Sequence, residues 1–398
     1  MTAFGGKKRV LALVAQNENQ TLANAASGLS GFFSPFGYQT QIIDLLAPEG
    51  LAVLAAALSS DEIAFAYGFA GIGSQLQDQH NVNIWTALRT PFVAFWYDHP
   101  AYNYRQHSVA SPYILNCYHI RDHYEVWQRY LPHHNAAIFL PPPAGPNPLA
   151  ESIPWAERDR RFIFAKTHYN PQQIIAGWHG YSAPLRQVLA TLIEAAQQDR
   201  HLDLAAATEK EFAKLGESIA NFDNFFGVIQ AVDHFIRSWR ADQLARALRA
   251  YPTDIYGRGW ESLAAEPARQ ARFLPSFPNS ELWPRLTRYR LVANVNPLWR
   301  EGIHERVMNG IAGGSVVLTD NSERGDSVLG GLPNYVGFEW NAESLQAALA
   351  LAWERAADSV DYLPASRARL EPLAYTETNF MQPLTAALQA LCERAEAA

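Results

Sequence analysis

Asp98 and His99 are neighbours at the end of an apolar run, residues 91–96, and either side chain can accept a proton from a hydroxyl nucleophile in a closed cleft that tunes it. As ordinary structure the same pair reads as Asp98 capping the next turn and His99 packing beside Pro100. A second constellation lies in residues 287–320, TRYRLVANVNPLWREGIHERVMNGIAGGSVVLTD. Glu301 and Asn309 stand eight positions apart, and Glu305 and Asn309 share one helix face a turn apart, so these polar groups can hydrogen-bond the hydroxyls of a sugar. A helix opening onto Gly302 adds free first-turn amides and the positive end of its dipole, which suit an anion such as a diphosphate.

The elements that must position these groups follow from periodicity. Residues 291–295 are an unbroken apolar run and read as a buried strand, which Asn296-Pro297 ends because proline lacks a backbone donor. Ile303, Val307 and Ile311 recur at helical spacing, Gly313-Gly314 stops that helix, and residues 315–318 begin another strand. Strand, helix and strand in about 30 residues is the size of a parallel crossover unit. Earlier in the chain, residues 9–15, 38–44, 62–67, 91–96, 113–117 and 136–140 read as strands with a helix at 22–33, the opening of an α/β domain. Its first turn reads AQNENQT where a dinucleotide fold would place G-x-G-x-x-G, which disfavours a nicotinamide or flavin enzyme and leaves Asp44 as a strand-end cap.

The 398 residues suffice for two or three domains, and 48% hydrophobic with 12% aromatic residues builds packed cores. A formal charge of -7 and a pI near 6.0 argue against broad binding to nucleic acid or an anionic membrane. The two cysteines, Cys117 and Cys392, are too few for a disulfide framework and point to a reducing cytoplasm. The apolar stretch after Lys7-Lys8-Arg9 is too short for a secretion signal, and no run is long enough to span a membrane. No Asp-x-Asp pair and no His/Cys cluster at ligand spacing calls for a metal.

Pro141-Pro142-Pro143-Ala144-Gly145-Pro146-Asn147-Pro148 reads as a stiff linker with a hinge, giving a first domain over 1–150 and a second over 158–375. Residues 161–165 are its first strand, with Lys166 and His168 at the end. Residues 171–250 read as a helical insertion with helices at 183–198, 204–217, 222–239 and 241–251. A short strand runs into Gly257, Arg258, Gly259 and Trp260, where a flat ring can be approached by glycine backbone and stacked by Arg258 or Trp260; the plain alternative is a tight turn with Trp260 in the core. Residues 273–278 read as a loop, 280–286 as a short helix, 325–334 as a glycine-rich loop and 343–356 as a helix capped by Asn341.

The string EGIHERVMNGIAGGSVVLTD resembles the C-domain signature of two-domain (GT-B) nucleotide-sugar glycosyltransferases, in which an acidic-glycine loop leads to a second acidic residue eight positions on, then a small-residue turn and an apolar strand. Asn294-Val295-Asn296-Pro297 and His304-Glu305-Arg306-Val307 most resemble the spore-maturation (CgeB-like) members. The resemblance implies two Rossmann-like domains facing a cleft, a terminal helix at 376–398 crossing back to the first, and transfer of a sugar, of hexosyl type, from a nucleotide-sugar to a hydroxyl or other nucleophile without a metal or cofactor. It implies a donor site of Lys166, Gly257, Arg258, Trp260, Asn296, Glu301, Gly302, His304, Glu305, Arg306 and Asn309, with Lys166 neutralising the diphosphate and Asn309 standing where many relatives carry a ribose-binding glutamate. The acceptor base falls to Asp98 or His99, with Glu18 a weaker choice. A nucleotide-sugar epimerase on the same fold and a non-catalytic nucleotide- or sugar-binding module are the alternatives.

Overall fold

Near-continuous apolar runs become the central strands, buried on both faces as parallel sheets require, and more polar runs such as QTQIID at 39–44 become edges. In the computed structural model, which describes residues 6–15, 21–60, 62–131, 135–142, 153–267, 270–357, 361–374 and 376–397, these runs form two separate six-stranded sheets. Two compact units contain them, one of residues 1–142, 278–280 and 375–398, the other of residues 143–277 and 281–374. Glu18 and most of the proline-rich linker lie outside the described residues.

The first sheet holds β1 (Arg9–Val14), β2 (Gln39–Asp44), β3 (Ile63–Phe69), β4 (Phe92–Trp96), β5 (Ile114–Tyr118) and β6 (Ala136–Phe139) in the order β2-β1-β3-β4-β5-β6, every pairing parallel. Its core packs Phe65, Tyr67 and Phe95 against Phe33, and the terminal helix Gln382–Ala397 with the turn before it adds Phe380, Met381, Leu384, Leu388 and Leu391. The loop after β3 is glycine-rich for packing. A Cβ on Gly71 (φ +68) would lie 2.3 Å from the Trp96 ring, and one on Gly73 (φ +90) 2.4 Å from Leu13.

The second sheet holds β7 (Asp159–Ala165), β8 (Thr253–Tyr256), β9 (Ala271–Leu274), β10 (Tyr289–Asn294), β11 (Val316–Asp320) and β12 (Tyr335–Phe338) in the order β12-β11-β10-β7-β8-β9, again all parallel. From β7 the chain builds outward through β8 and β9, then returns to the other side of β7 to add β10. The carboxyl ends of β7 and β10 therefore flank the switch in winding direction, the place where doubly wound sheets bind ligands.

Several local expectations need correction. Residues 222–251 carry one 27-residue helix, Phe222–Leu248, where two were expected; no proline or glycine interrupts residues 228–248, and the polar residues Ser238 and Arg240 at the expected break are buried within it. Residues 271–274 form strand β9, because Ala271 to Leu274 pair in register with Thr253 to Tyr256. Residues 335–338 form β12, a strand too short to stand out in the sequence. The segment at 325–334 begins as a helix, Glu323–Leu329, started by Ser322, whose hydroxyl accepts from the Gly325 amide at 2.9 Å. The signature helix begins at Glu305, not at Gly302, because His304 caps it.

Candidate functional site

The candidate site of the second unit is built on the strand ends at the switch. β7 delivers Lys166, and the ladder continues past the strand: the Lys166 amide donates to the Tyr256 carbonyl and the His168 amide to that of Arg258, both at 2.9 Å. Gly257 and Gly259 allow this approach. A Cβ on Gly257 (φ +139) would stand 2.2 Å from the Lys166 carbonyl oxygen, and one on Gly259 (φ +84) 2.1 Å from that of His168. Trp260 is buried, donates from its indole to the Lys166 carbonyl at 2.7 Å and stacks on His168 at 4.3 Å. These residues brace the lysine-bearing turn. The expectation that the glycines admit a flat ligand and that Trp260 stacks on it is corrected: protein backbone and the His168 ring already occupy those positions. Arg258 is exposed.

On the other side of the switch, Asn296 is fully engaged. Its side-chain amide donates to the Asp320 carbonyl at 2.5 Å and to the Thr319 hydroxyl at 3.2 Å, its side-chain oxygen accepts from Asn294, and its backbone amide reaches the Asp320 carboxylate at 2.6 Å. It ties β10 to β11, and its N–H groups are all used within the protein, so it has no donor left for a ligand. Gly302 makes room for Trp299, whose ring would lie 2.8 Å from an added Cβ, and its carbonyl accepts from Ser322. Glu301 is half-buried, Glu305 exposed and Asn309 half-buried.

His304 and Arg306 carry the electrostatics of this side. The His304 Nδ1 accepts from the Arg306 backbone amide at 3.2 Å, closing off one of the amides expected to hold an anion. Its Nε2 faces the Arg306 guanidinium at 3.0 Å. Arginine only donates, and a neutral imidazole has one lone pair, so His304 cannot satisfy both donors. The Arg306 Nη1 is buried with no hydrogen-bond partner among the described residues.

Lys166 is partly covered, yet burial of its ammonium and the charges of Arg306 and Arg237 hold its pKa down to about 7 against the pull of Asp233 and Asp320. The His304 pKa is pushed well below the usual imidazole range by burial and by Arg306, Lys166 and Arg237. Burial also lowers Arg306. The long helix supplies the rest. Asp233 pairs with Arg237 at 2.7 Å, and buried Arg240 lies 3.5 Å from the carboxylate of Asp320, itself raised by burial and held by the Trp340 indole at 3.0 Å. Once these pairs form, Lys166 and Arg306 have no ion-pair partner among the described residues. Two partly desolvated cations without counter-ions call for an anion. Asp233, Arg237, Arg240 and Asp320 were missed as site residues; the available signal was charge at i, i+4 and i+7 along an apolar helix.

In the first unit, His99 caps the short helix Pro100–Tyr102, its Nδ1 accepting from the Ala101 amide at 3.1 Å. A neutral His99 then carries its proton on Nε2 and has no free lone pair for a second one. Asp98 is exposed beyond β4 with no side-chain partner among the described residues.

Solved structures share this architecture. An alpha-glucosyltransferase in complex with UDP-glucose and DNA containing an abasic site aligns over 95% of this chain and 99% of its own at 12% identity, TM-score 0.54. The sucrose-phosphate synthase of Thermosynechococcus elongatus aligns over 97% and 100% at 11% identity, TM-score 0.53. The DNA-modifying enzyme beta-glucosyltransferase aligns over 98% and 99% at 11% identity, TM-score 0.50. The chain has the GT-B fold. No family model matches its sequence, and no curated protein matches it. Within this GT-B chain, the described residues contain no group of three His, Cys, Asp or Glu side chains arranged to hold a metal, and no helix long and apolar enough to cross a membrane.

Proposed function

We propose that this chain is a glycosyltransferase that moves a hexosyl group from a nucleotide-sugar to a hydroxyl of an acceptor. The observation that carries the reading is the pair of uncompensated cations, Lys166 and Arg306, at the switch point of the second sheet. A diphosphate supplies the missing charge there, and the same contacts stabilise it as leaving group when the glycosidic bond breaks. Glu301, Glu305 and Asn309 are the hydroxyl-binding groups of this reading, and Asp98 takes the acceptor's proton. The GT-B fold supports it, as do the UDP and UDP-glucose bound in the similar structures.

The motif at 294–309 favours a CgeB-like member that uses no metal and no cofactor. Some of the similar proteins are complexed with DNA, but a charge of -7 favours an acceptor other than nucleic acid here. The two cysteines, both free and one buried, fit a reducing cytoplasm. Asn309 in place of a glutamate keeps a non-catalytic nucleotide-binding module as the second reading.

A thermal-shift screen of nucleoside diphosphates and nucleotide-sugars tests the reading. A true ligand at about 100 times its Kd stabilises the fold by roughly 2.7 kcal/mol. Lys166→Ala and Arg306→Gln are expected to cut affinity by about 10- to 100-fold, the worth of one charge-assisted contact. Asp98→Asn is expected to keep donor binding and lose transfer. Full donor affinity in both cation variants would sink the site, and binding without turnover in the wild type would favour the binding module.

A further inference from the structure

A pocket of about 470 Å³ opens between the turns that follow β7 and β8. Asn170 caps the helix Pro171–Ala176 and turns the chain away from β7, while Gly259 pulls the other turn against the His168 carbonyl. His168, Tyr169, Asn170, Gln173, Glu261 and Ser262 line the gap. No lysine or arginine does, Glu261 adds a carboxylate, and any charge on His168 is matched by Asp242 at 3.4 Å, so the pocket does not attract an anion. One aliphatic side chain, Ile174, is too little for an apolar ligand. What remains is a polar pocket with an aromatic wall: Tyr169 is 53% exposed and is held by an edge-on ring contact with His234 at 4.8 Å.

We propose that this pocket binds a pyranose ring. The C–H face of a sugar lies on the exposed Tyr169 ring, burying apolar surface while its hydroxyls stay wet. Glu261 accepts from hydroxyls, and Asn170, Gln173 and Ser262 supply mixed donors and acceptors, the inventory a ring of vicinal hydroxyls needs. The His168 floor is rigid, since its Nδ1 donates to the Gly259 carbonyl at 2.7 Å and its Nε2 lies 3.4 Å from the Asp242 carboxylate. His234, the partner of Tyr169, feels the charges of Asp233, Arg237 and Lys166, so the sugar pocket borders the cation cluster. Two sources fit this chemistry: the glycosyl group of the donor, and a free saccharide. Only the link to the transfer reaction rests on the proposed function; the pocket itself does not.

Calorimetric titration of the full chain tests the assignment, with the methyl glycosides of glucose, galactose, mannose and N-acetylglucosamine, UDP, UDP-glucose and uridine as probes. At least one methyl glycoside, or the glucose part of UDP-glucose, is expected to bind and to weaken at least about fivefold in both Tyr169→Ala and Glu261→Gln, with UDP affinity unchanged. Both positions sit at a surface pocket, and a melting temperature equal to wild type shows that the variants are folded. A glycoside that still binds at saturating UDP-glucose identifies a free saccharide; competition identifies the donor's own sugar. The proposal is overturned if no glycoside binds and UDP-glucose binds no differently from UDP, if the variants leave sugar affinity unchanged, or if they weaken uridine instead. Failure of the wild type to bind any nucleotide would sink the proposed function and leave the glycoside result standing.

Discussion

Lys166 is worth following at the scale of the single residue because its proton is held weakly. Its pKa near 7 means that burial and two arginines oppose the charge that the proposed ligand needs. An anion beside it favours the protonated form, so binding raises the pKa and takes up a proton. Nucleotide-sugar affinity is therefore expected to be greatest below pH 7. It should fall as pH rises through 7 towards the bound-state pKa, by at most about tenfold per pH unit. A nucleotide-sugar is the right probe, because its diphosphate diester does not itself titrate in that range. Lys166→Arg should flatten the profile, since a guanidinium stays charged; an unchanged slope in that variant would assign the proton to another group. Arg306 and His304 bear on the proposed ligand differently. The two donors facing one neutral imidazole leave the Arg306 guanidinium free to turn to a phosphate oxygen without losing a good contact.

At the scale of elements, the site depends on how closely two turns can approach. The β7 end is pressed against the β8 end by Gly257, Gly259 and Trp260, and this contact fixes where Lys166 stands. Gly257→Ala places a methyl group on the Lys166 carbonyl in a backbone conformation that favours glycine, so the turn must move. The expected outcome is a loss of about 1–3 kcal/mol in denaturant unfolding together with weakened nucleotide binding. Arg258→Ala, at an exposed neighbour, should leave stability within about 0.5 kcal/mol. Equal stability in the two variants would refute the bracing role. The long helix Phe222–Leu248 is the other positioning element. Ala241, Leu244, Ala245 and Leu248 anchor its last two turns in the core of the second sheet, and Asp233, Arg237 and Arg240 precede that anchor on the same continuous helix.

For the molecule as a whole, the chain end matters more than its position in the sequence suggests. Residues 376–397 belong to the first unit, although the second unit's chain lies between them and the rest of it. Phe380, Met381, Leu384, Leu388 and Leu391 are each at most 5% exposed in that unit's core. At about 1.5–3 kcal/mol per buried apolar side chain, their joint removal costs roughly 10 kcal/mol, comparable with the whole stability of a domain. Truncation before Thr376 is expected to unfold the first unit, seen as a lost unfolding transition in calorimetry or as insolubility on expression. A truncated chain that keeps both transitions would show the helix to be dispensable.

Much of this was legible in the order of residues alone. Apolar runs marked β1, β3, β4, β5, β10 and β11, because a strand buried on both faces must be apolar throughout, while β2, with the sequence QTQIID, was read from its place in the α/β alternation and lies at a sheet edge. The motif from Asn294 to Asp320 located the unit on which the site is built. β9 and β12 were not legible, since an arginine interrupts ARFL and a glycine YVGF, and only pairing with a neighbour makes them strands. Which polar groups remain available for a ligand was decided by tertiary structure. Asn296 is consumed by Asp320 and Thr319, His99 and His304 are consumed as caps, and Trp260 is consumed by His168 and the Lys166 carbonyl. A sequence states the hydrogen-bonding capacity of a side chain, but only packing determines how much of that capacity the protein itself uses, and the surplus at Lys166 and Arg306 depends on partners more than sixty residues away.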